Sequence, residues 1–220
     1  MKITSEIFQV GGGQLTVSED ASIYLVNFNG KAAIIDSGCG RSINFLLDNI
    51  EKCNIKTDQI QYILLTHCHY DHTGGAKKLQ DKLKCKIVAH ELDSLYLESG
   101  DNEVTAASWY GSFIQPFNVD IKLKGHEERI ELGKGEIKAI HIPGHSPGSV
   151  AYLCESDGLK VLFGQDVHGP LDSRLLSNKE DYLQSLKRLL SLEADILCEG
   201  HFGIFHGKDR VRKFIESYIF

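Results

Sequence analysis

Short apolar blocks separated by polar turns fill the first third of the chain. Residues 23–28 and 31–35 are two such blocks around Asn29-Gly30, a dipeptide that tolerates the positive φ angles of a tight turn, and they predict a hairpin within an N-terminal β meander. Gly11-Gly12-Gly13 reads as a turn, and Asp36-Ser37-Gly38-Cys39-Gly40 as the loop that ends the hairpin. Over about 42–51 the apolar period lengthens, with Phe45, Leu46, Asn49 and Ile50 on neighbouring turns of a helix. Tyr62-Ile63-Leu64-Leu65 is continuously apolar, the pattern of a strand buried on both faces. A helix over 77–84, a strand over 86–89 and a short helix over 91–98 follow. Residues 100–118 lose periodicity although they hold Trp109, Tyr110, Phe113 and Phe117, so they read as an excursion from the core, either an apolar wall for a substrate or a core cluster. Strands return at 129–132, 137–142, 150–154 and 160–163, then a helix at 180–190, a strand at 196–198 and a last helix from about 209. Strands punctuated by helices predict an α/β fold of two sheets with helices outside.

Composition narrows the class. The 220 residues suffice for one domain with a substantial core, and no linker, repeat or low-complexity stretch divides 1–220. Against 24 Lys and Arg stand 30 Asp and Glu, and the net charge of −6 argues against a nucleic-acid partner, which needs a basic face to displace counterions. Lys208, Arg210, Arg212 and Lys213 have the spacing of a solvated helix face. No apolar run is long enough to span a bilayer, and the first residues lack the apolar region of a signal peptide. The expectation is a cytoplasmic protein without a membrane partner, acting on a small molecule, able to form a homo-oligomer, with cysteines 39, 53, 68, 85, 154 and 198 reduced.

Candidate chemistry concentrates in His67-Cys68-His69-Tyr70-Asp71-His72. In extended chain, positions i, i+2 and i+4 share a side, so His67, His69 and Asp71 are expected to converge from the end of one strand, with His72 turned to a second position and Cys68 and Tyr70 packing on the other side. Imidazoles plus a carboxylate are the borderline donors that Zn²⁺ prefers. Further along, His145, Asp166 and His201 each stand beside or near glycine just after an apolar block, where a rigid scaffold presents functional groups. His168, two residues beyond Asp166, reads as a substrate contact or a rim residue, while His90, His126, His141 and His206 read as structural or exposed.

Thr66-His67-Cys68-His69-Tyr70-Asp71-His72-Thr73-Gly74-Gly75 resembles the signature of the metallo-β-lactamase superfamily, and His141-Ile142-Pro143-Gly144-His145-Ser146-Pro147-Gly148 looks like its second histidine motif. Ile35-Asp36-Ser37-Gly38, Gly164-Gln165-Asp166 and Gly200-His201 match the remaining motifs in order, so the resemblance covers nearly the whole chain. It implies a four-layer αββα sandwich with two divalent metal ions at one edge, zinc first, iron or manganese as alternatives. It further implies that His67, His69 and His145 hold one ion and Asp71, His72 and His201 the other, that Asp166 bridges them, and that Asp36 orients the ligands.

The function so implied is a hydrolase in which two cations share a hydroxide and polarise the substrate oxygen, with Asp71 also passing a proton to the leaving group. A small ester, lactone or thioester is the expected substrate, with phosphodiesters behind. Only 19 residues follow His201, against the helical glutathione-binding domain of the glyoxalase II branch. The competing class is a mononuclear-iron oxidoreductase of the persulfide dioxygenase type, which needs no complete second ligand set. A third is a metal-bearing binding protein without turnover. Gly144-His145-Ser146-Pro147-Gly148 also fits the G-x-S-x-G elbow of serine hydrolases, but the residue after the serine must donate its N–H there, and Pro147 has none.

Overall fold

Each strand alternates its side chains between two apolar environments, and that alternation builds the layers. In the computed structural model, which describes residues 1–219, β1 (Ile7–Gly11), β2 (Ile23–Phe28), β3 (Lys31–Ile35), β4 (Ile60–Leu64), β5 (Lys86–His90) and β6 (Ile121–Leu123) form one six-stranded sheet in chain order. The first three pair antiparallel and the rest parallel. The second six-stranded sheet holds β7 (Glu127–Leu132), β8 (Gly135–His141), β9 (Val150–Ser156), β10 (Leu159–Phe163), β11 (Ile196–Cys198) and β12 (Ile204–His206), antiparallel except between β10 and β11. The anticipated hairpin is β2–β3, with Asn29 and Gly30 at φ 52° and 81°.

On β2 and β3, Tyr24, Val26, Ala33 and Ile35 face inward against Ile137, Ala139, Tyr152 and Phe163 of the second sheet. Their neighbours Ile23, Leu25, Ala32 and Ile34 face outward onto α1 (Ile43–Lys52), α3 (Ala76–Leu83) and α4 (Glu91–Ser99), through Leu46, Ile50, Leu79 and Leu97. Across the second sheet, Ala151, Leu162 and Leu197 meet α5 (Lys179–Ser191) and α6 (Lys208–Glu216) through Leu186, Leu189, Val211 and Ile215. Period-2 strands between amphipathic helices thus give helix, sheet, sheet, helix.

Three expectations shift. Strands β6 and β12 are not anticipated: three residues each and only partly buried, they lack the continuous apolar run that marks the equally short β11. β4 ends at Leu64, and Asp71 and His72 lie on a single helical turn, α2 (Tyr70–Thr73), so the metal motif is not an extended strand end with alternating sides. Phe45 is exposed, and Ile43, Leu46 and Ile50 form the buried face of α1.

Strands β3 and β4 run parallel, as do β10 and β11, and the two antiparallel pairings from β8 through β9 bring β8 into line with β10. The loops after these strands therefore emerge together at one edge of the sandwich, carrying Asp36, residues 65–72, His145, Asp166 and His201.

Candidate metal centre

His67, His69, His145 and Asp166 place their ligand atoms within 4.8 Å of one another, and so do Asp71, His72 and His201. Asp166 joins the two groups. Its Oδ2 lies 3.2 Å from His145 Nε2 and 3.7 Å from His67 Nε2, while its Oδ1 lies 3.2 Å from His72 Nε2 and 3.3 Å from His201 Nε2. Asp71 Oδ2 is 3.2 Å from His201 Nε2 and 3.7 Å from His72 Nε2. All seven residues suggested by the sequence therefore meet in one cluster.

Three of the five imidazoles are held in one orientation. His145 Nδ1 donates to the Pro170 carbonyl (2.9 Å) and His72 Nδ1 to Asp36 Oδ2 (2.7 Å), while His67 Nδ1 meets Thr66 Oγ1 at 3.0 Å. A carbonyl only accepts, so the proton on His145 sits on Nδ1 and Nε2 presents a lone pair inward. The Nε2 atoms of His67, His69, His72 and His145 and Asp166 Oδ1 are buried without a hydrogen-bond partner. Such atoms carry a large desolvation cost unless something binds them. Five buried ligand atoms without hydrogen-bond partners, divided between two groups that meet at Asp166, fit divalent cations.

Asp36 is the support from which the cluster hangs. Fully buried and at φ 61°, it accepts from Thr66 N, Thr66 Oγ1, His72 Nδ1 and Gln165 Nε2 at 2.6–2.8 Å. It thereby contacts His72 directly, His67 through Thr66, and the residue preceding Asp166. Gln165 and Asp166 themselves have positive φ (29° and 25°), a region non-glycine residues seldom occupy and one concentrated at functional sites. Glycine is required alongside. A Cβ on Gly200 would stand 2.5 Å from Asp166 Oδ1, and one on Gly144, at φ 134°, would collide with the Tyr182 backbone on α5.

Charge divides the cluster. Burial, then the neighbouring imidazoles, push His67 well down, and burial with His145 takes His69 to about 3, so both stay neutral with lone pairs available. Burial also pushes His72 and His201 down, but the Asp166 and Asp71 carboxylates outweigh it, raising His72 well up and His201 to about 10. Protons there neutralise two carboxylates, a task a cation takes over by displacing them.

Other sequence candidates take definite positions. His168 Nδ1 lies 2.7 Å from Glu199 Oε1, and its ligand atom falls within the same 4.8 Å distance of Asp166 and His201. Cys39 is buried and donates to the Glu19 carbonyl. Cys68 and Tyr70 are buried in the helix-side core, as is Phe117, whereas Trp109 and Phe113 are exposed. His90, buried, stacks on His141 at 3.9 Å, and His126 and His206 are exposed. Ser146 is buried and donates to Asp93 Oδ2 (2.6 Å), not toward the cluster, and β9 rather than a helix follows it. Among residues the sequence did not mark, buried Glu199 accepts from His168, His201 N and Phe202 N. Buried Asp93 accepts from Cys68 N, Ser146 Oγ and Gly148 N, joining the two histidine motifs. Tyr110 lies against Asp71, and burial and that carboxylate both push its hydroxyl upward.

Fold and site together define a metal-binding α/β sandwich with its donor cluster at the strand-end edge. The chain belongs to the metallo-β-lactamase superfamily, whose family model matches residues 19–201. It is similar to acyl-coenzyme A thioesterase MBLAC2 of Homo sapiens, 30% identical over 227 residues covering 90% of this chain and 78% of that protein. A probable metallo-hydrolase of Methanocaldococcus jannaschii is 32% identical over 126 residues, 57% of this chain and 59% of that protein, so the match spans less than two thirds of that relative. A hydroxyacylglutathione hydrolase of Rhodospirillum rubrum is 27% identical over 84% of this chain and 62% of its own length. Of solved structures, a β-lactamase from Chitinophaga pinensis superposes with a TM-score of 0.81 at 22% identity, covering 99% of this chain and 88% of that one. These similarities establish the αββα fold, and the relatives with a named activity are hydrolases. The family and the His/Asp cluster imply divalent metal ions.

Proposed function

We propose that this chain is a dinuclear metal-dependent hydrolase of a small ester, lactone or thioester, with His67, His69 and His145 holding one ion, Asp71, His72 and His201 the other, and Asp166 between them. The observation that carries this reading is Asp166 itself, whose two oxygens are each aimed at a different set of imidazoles. Zinc suits a donor set of imidazoles and carboxylates. When bound, two such ions supply Lewis acidity and bring the pKa of water down to about 7, so attack at neutral pH needs no serine or cysteine nucleophile.

The chain's own residues do the rest. Asp36, Thr66 and the Pro170 carbonyl fix the imidazoles so that no reorganisation is needed on reaction. Asp71, buried against Tyr110 and His201, is placed to hold a proton and pass it to the leaving group. Thioesters have added support from the likeness to a protein named as an acyl-coenzyme A thioesterase over 90% of the chain. A complete second donor group supports the hydrolase over the mononuclear-iron oxidoreductase. Cytoplasmic residence belongs to the same reading, in keeping with six unpaired cysteines. Among the described residues, no helix is long and apolar enough to cross a membrane.

Metal analysis of anaerobically purified protein, with a panel of lactones, thioesters and phosphodiesters, tests the proposal. Two zinc ions per chain and turnover of a lactone or thioester are expected. One iron per chain with oxygen uptake overturns it.

A further inference from the structure

Trp109 is the chain's single tryptophan, and it is 43% exposed while its neighbour Tyr110 packs against the helix-side core. It lies in the short 3-10 turn Ala107–Tyr110, inside the excursion between α4 and β6. The next residue, Tyr110, lies against Asp71, and its ring is 5.6 Å from that of Tyr70; Ser112 Oγ donates to the Tyr70 hydroxyl at 2.8 Å. This lip of the cleft is therefore tied to the α2 turn that carries Asp71 and His72.

The opposite lip is the loop between β10 and α5. It carries Asp166, accepts His145 Nδ1 at the Pro170 carbonyl, and donates from Ser177 Oγ to the His145 carbonyl at 2.7 Å. Arg174, in the turn Ser173–Leu175 of this loop, sets its guanidinium carbon 4.8 Å from the centre of the Trp109 ring. One segment hangs from the first sheet and is tied to the α2 turn, the other hangs from the second sheet and carries Asp166, so this contact joins the two segments that flank the donor cluster.

The local geometry suits a contact that opens. Arg174 Nε and Nη2 both donate to Asp172, at 3.1 and 2.8 Å, which fixes the guanidinium plane and leaves a flat face for the indole. The Arg174 side chain is 62% exposed, and at exposed sites such a contact shifts a population by only about two- to five-fold. We propose that Trp109 and Arg174 form a clasp over the metal cleft, closed at rest, which bulky substrates must part and small ones pass, making these two residues determinants of substrate size. The proposal rests on the cleft being the reaction site, as inferred above.

Trp109 reports on its own contact. In Arg174→Ala, acrylamide quenching of its fluorescence is expected to rise about two-fold or more, because one face of the indole loses its cover. Arg174→Ala and Trp109→Ala should both raise the ratio of kcat/KM for octanoyl-coenzyme A to that for p-nitrophenyl acetate, by about two- to five-fold. EDTA should strip metal from both variants faster by a similar factor, in the range where the rate rises with chelator concentration, and Trp109→Phe should restore the slow rate. Unchanged quenching in Arg174→Ala overturns the clasp. Changed quenching with an unchanged substrate ratio and stripping rate shows that the contact does not guard the mouth, and overturns it as well. If metal-loaded protein hydrolyses neither probe, the hydrolase reading fails, and the quenching and stripping rates still decide the clasp.

Discussion

Asp166 contacts imidazoles through both oxygens, and no isosteric side chain can replace it there. An amide is uncharged and offers one accepting oxygen and one donating nitrogen, so in Asp166→Asn both sets of imidazoles lose the counter-charge and one of them also loses its acceptor. We expect that variant to retain fewer metal ions and to lose more than about 100-fold in kcat/KM, beyond the 10- to 100-fold typical of losing a ligand-orienting residue such as Asp36. His168→Ala should cost about tenfold or less, since His168 Nδ1 is engaged by Glu199, a residue outside the two donor groups. Equal losses at equal metal content would show the loop to be wrongly assigned. Ser146→Ala separates stability from catalysis. Its hydroxyl donates to the buried Asp93 carboxylate, so its loss should lower unfolding stability by about 1.5–3 kcal/mol in a urea titration. Turnover should stay within about tenfold, whereas loss of a covalent nucleophile costs several orders of magnitude. Residues whose type already states their chemistry were legible in the sequence: histidine and aspartate beside glycine at the ends of apolar runs. Glu199 and Asp93 were not. An acid after Ile196-Leu197-Cys198, or within α4, looks like any surface acid until the fold brings up partners 31 and 53 positions away.

At the scale of elements, β2, β3, β5, β9 and β10 were readable because each is a largely apolar block bounded by turn or polar residues. The turn α2 was not, because four residues hold barely one helical repeat. What makes it a turn lies elsewhere: Thr73 Oγ1 donates back to the Cys68 and His69 carbonyls, and Ser37 Oγ donates to the His72 carbonyl. A different junction gives a pH prediction. His90, at the end of β5, stacks on His141, at the end of β8, with the rings 9° from parallel and His90 Nε2 buried without a partner. Burial and then the His141 charge bring His90 to about 4, below its ordinary 6.5. The unfolded chain therefore takes up this proton at higher pH than the folded one. Its contribution to stability is complete above about 6.5 and is lost as pH falls toward about 4, on the order of 3 kcal/mol. His90→Phe keeps a ring without the proton, so its urea midpoint should fall less steeply than wild type between pH 6.5 and 4. Parallel slopes would exclude His90 as the source.

For the molecule as a whole, the cluster is a cost when empty. Asp166 Oδ1 and the Nε2 atoms of His67, His69, His72 and His145 are buried without hydrogen-bond partners, so ligand-free protein carries uncompensated desolvation. Chelation should abolish activity and lower the melting temperature by roughly 5–15 °C, from about 3–4 kcal/mol of binding free energy lost at 2–4 °C each, and Zn²⁺ or Mn²⁺ should restore both. Activity that survives complete metal removal would end the metallo-hydrolase reading. The αββα architecture itself was foreseen from the order of the motifs, whereas the register between the sheets depends on facing pairs such as Tyr24 and Phe163, which no local pattern encodes.

The division of the chain between the sheets has one further consequence. Residues 1–123 supply His67, His69, Asp71 and His72, residues from 127 onward supply His145, Asp166 and His201, and an exposed link at 124–126 joins them. Neither half owns a full coordination sphere under the proposed assignment, so ions in the cleft act as a reversible weld between two polypeptide segments. Association of the halves and loading of the ions are then one coupled equilibrium, each strengthening the other by the same factor. A chain severed in that link would become a two-component assembly, held by the apolar interface between the sheets, whose dissociation constant falls as the free concentration of metal rises.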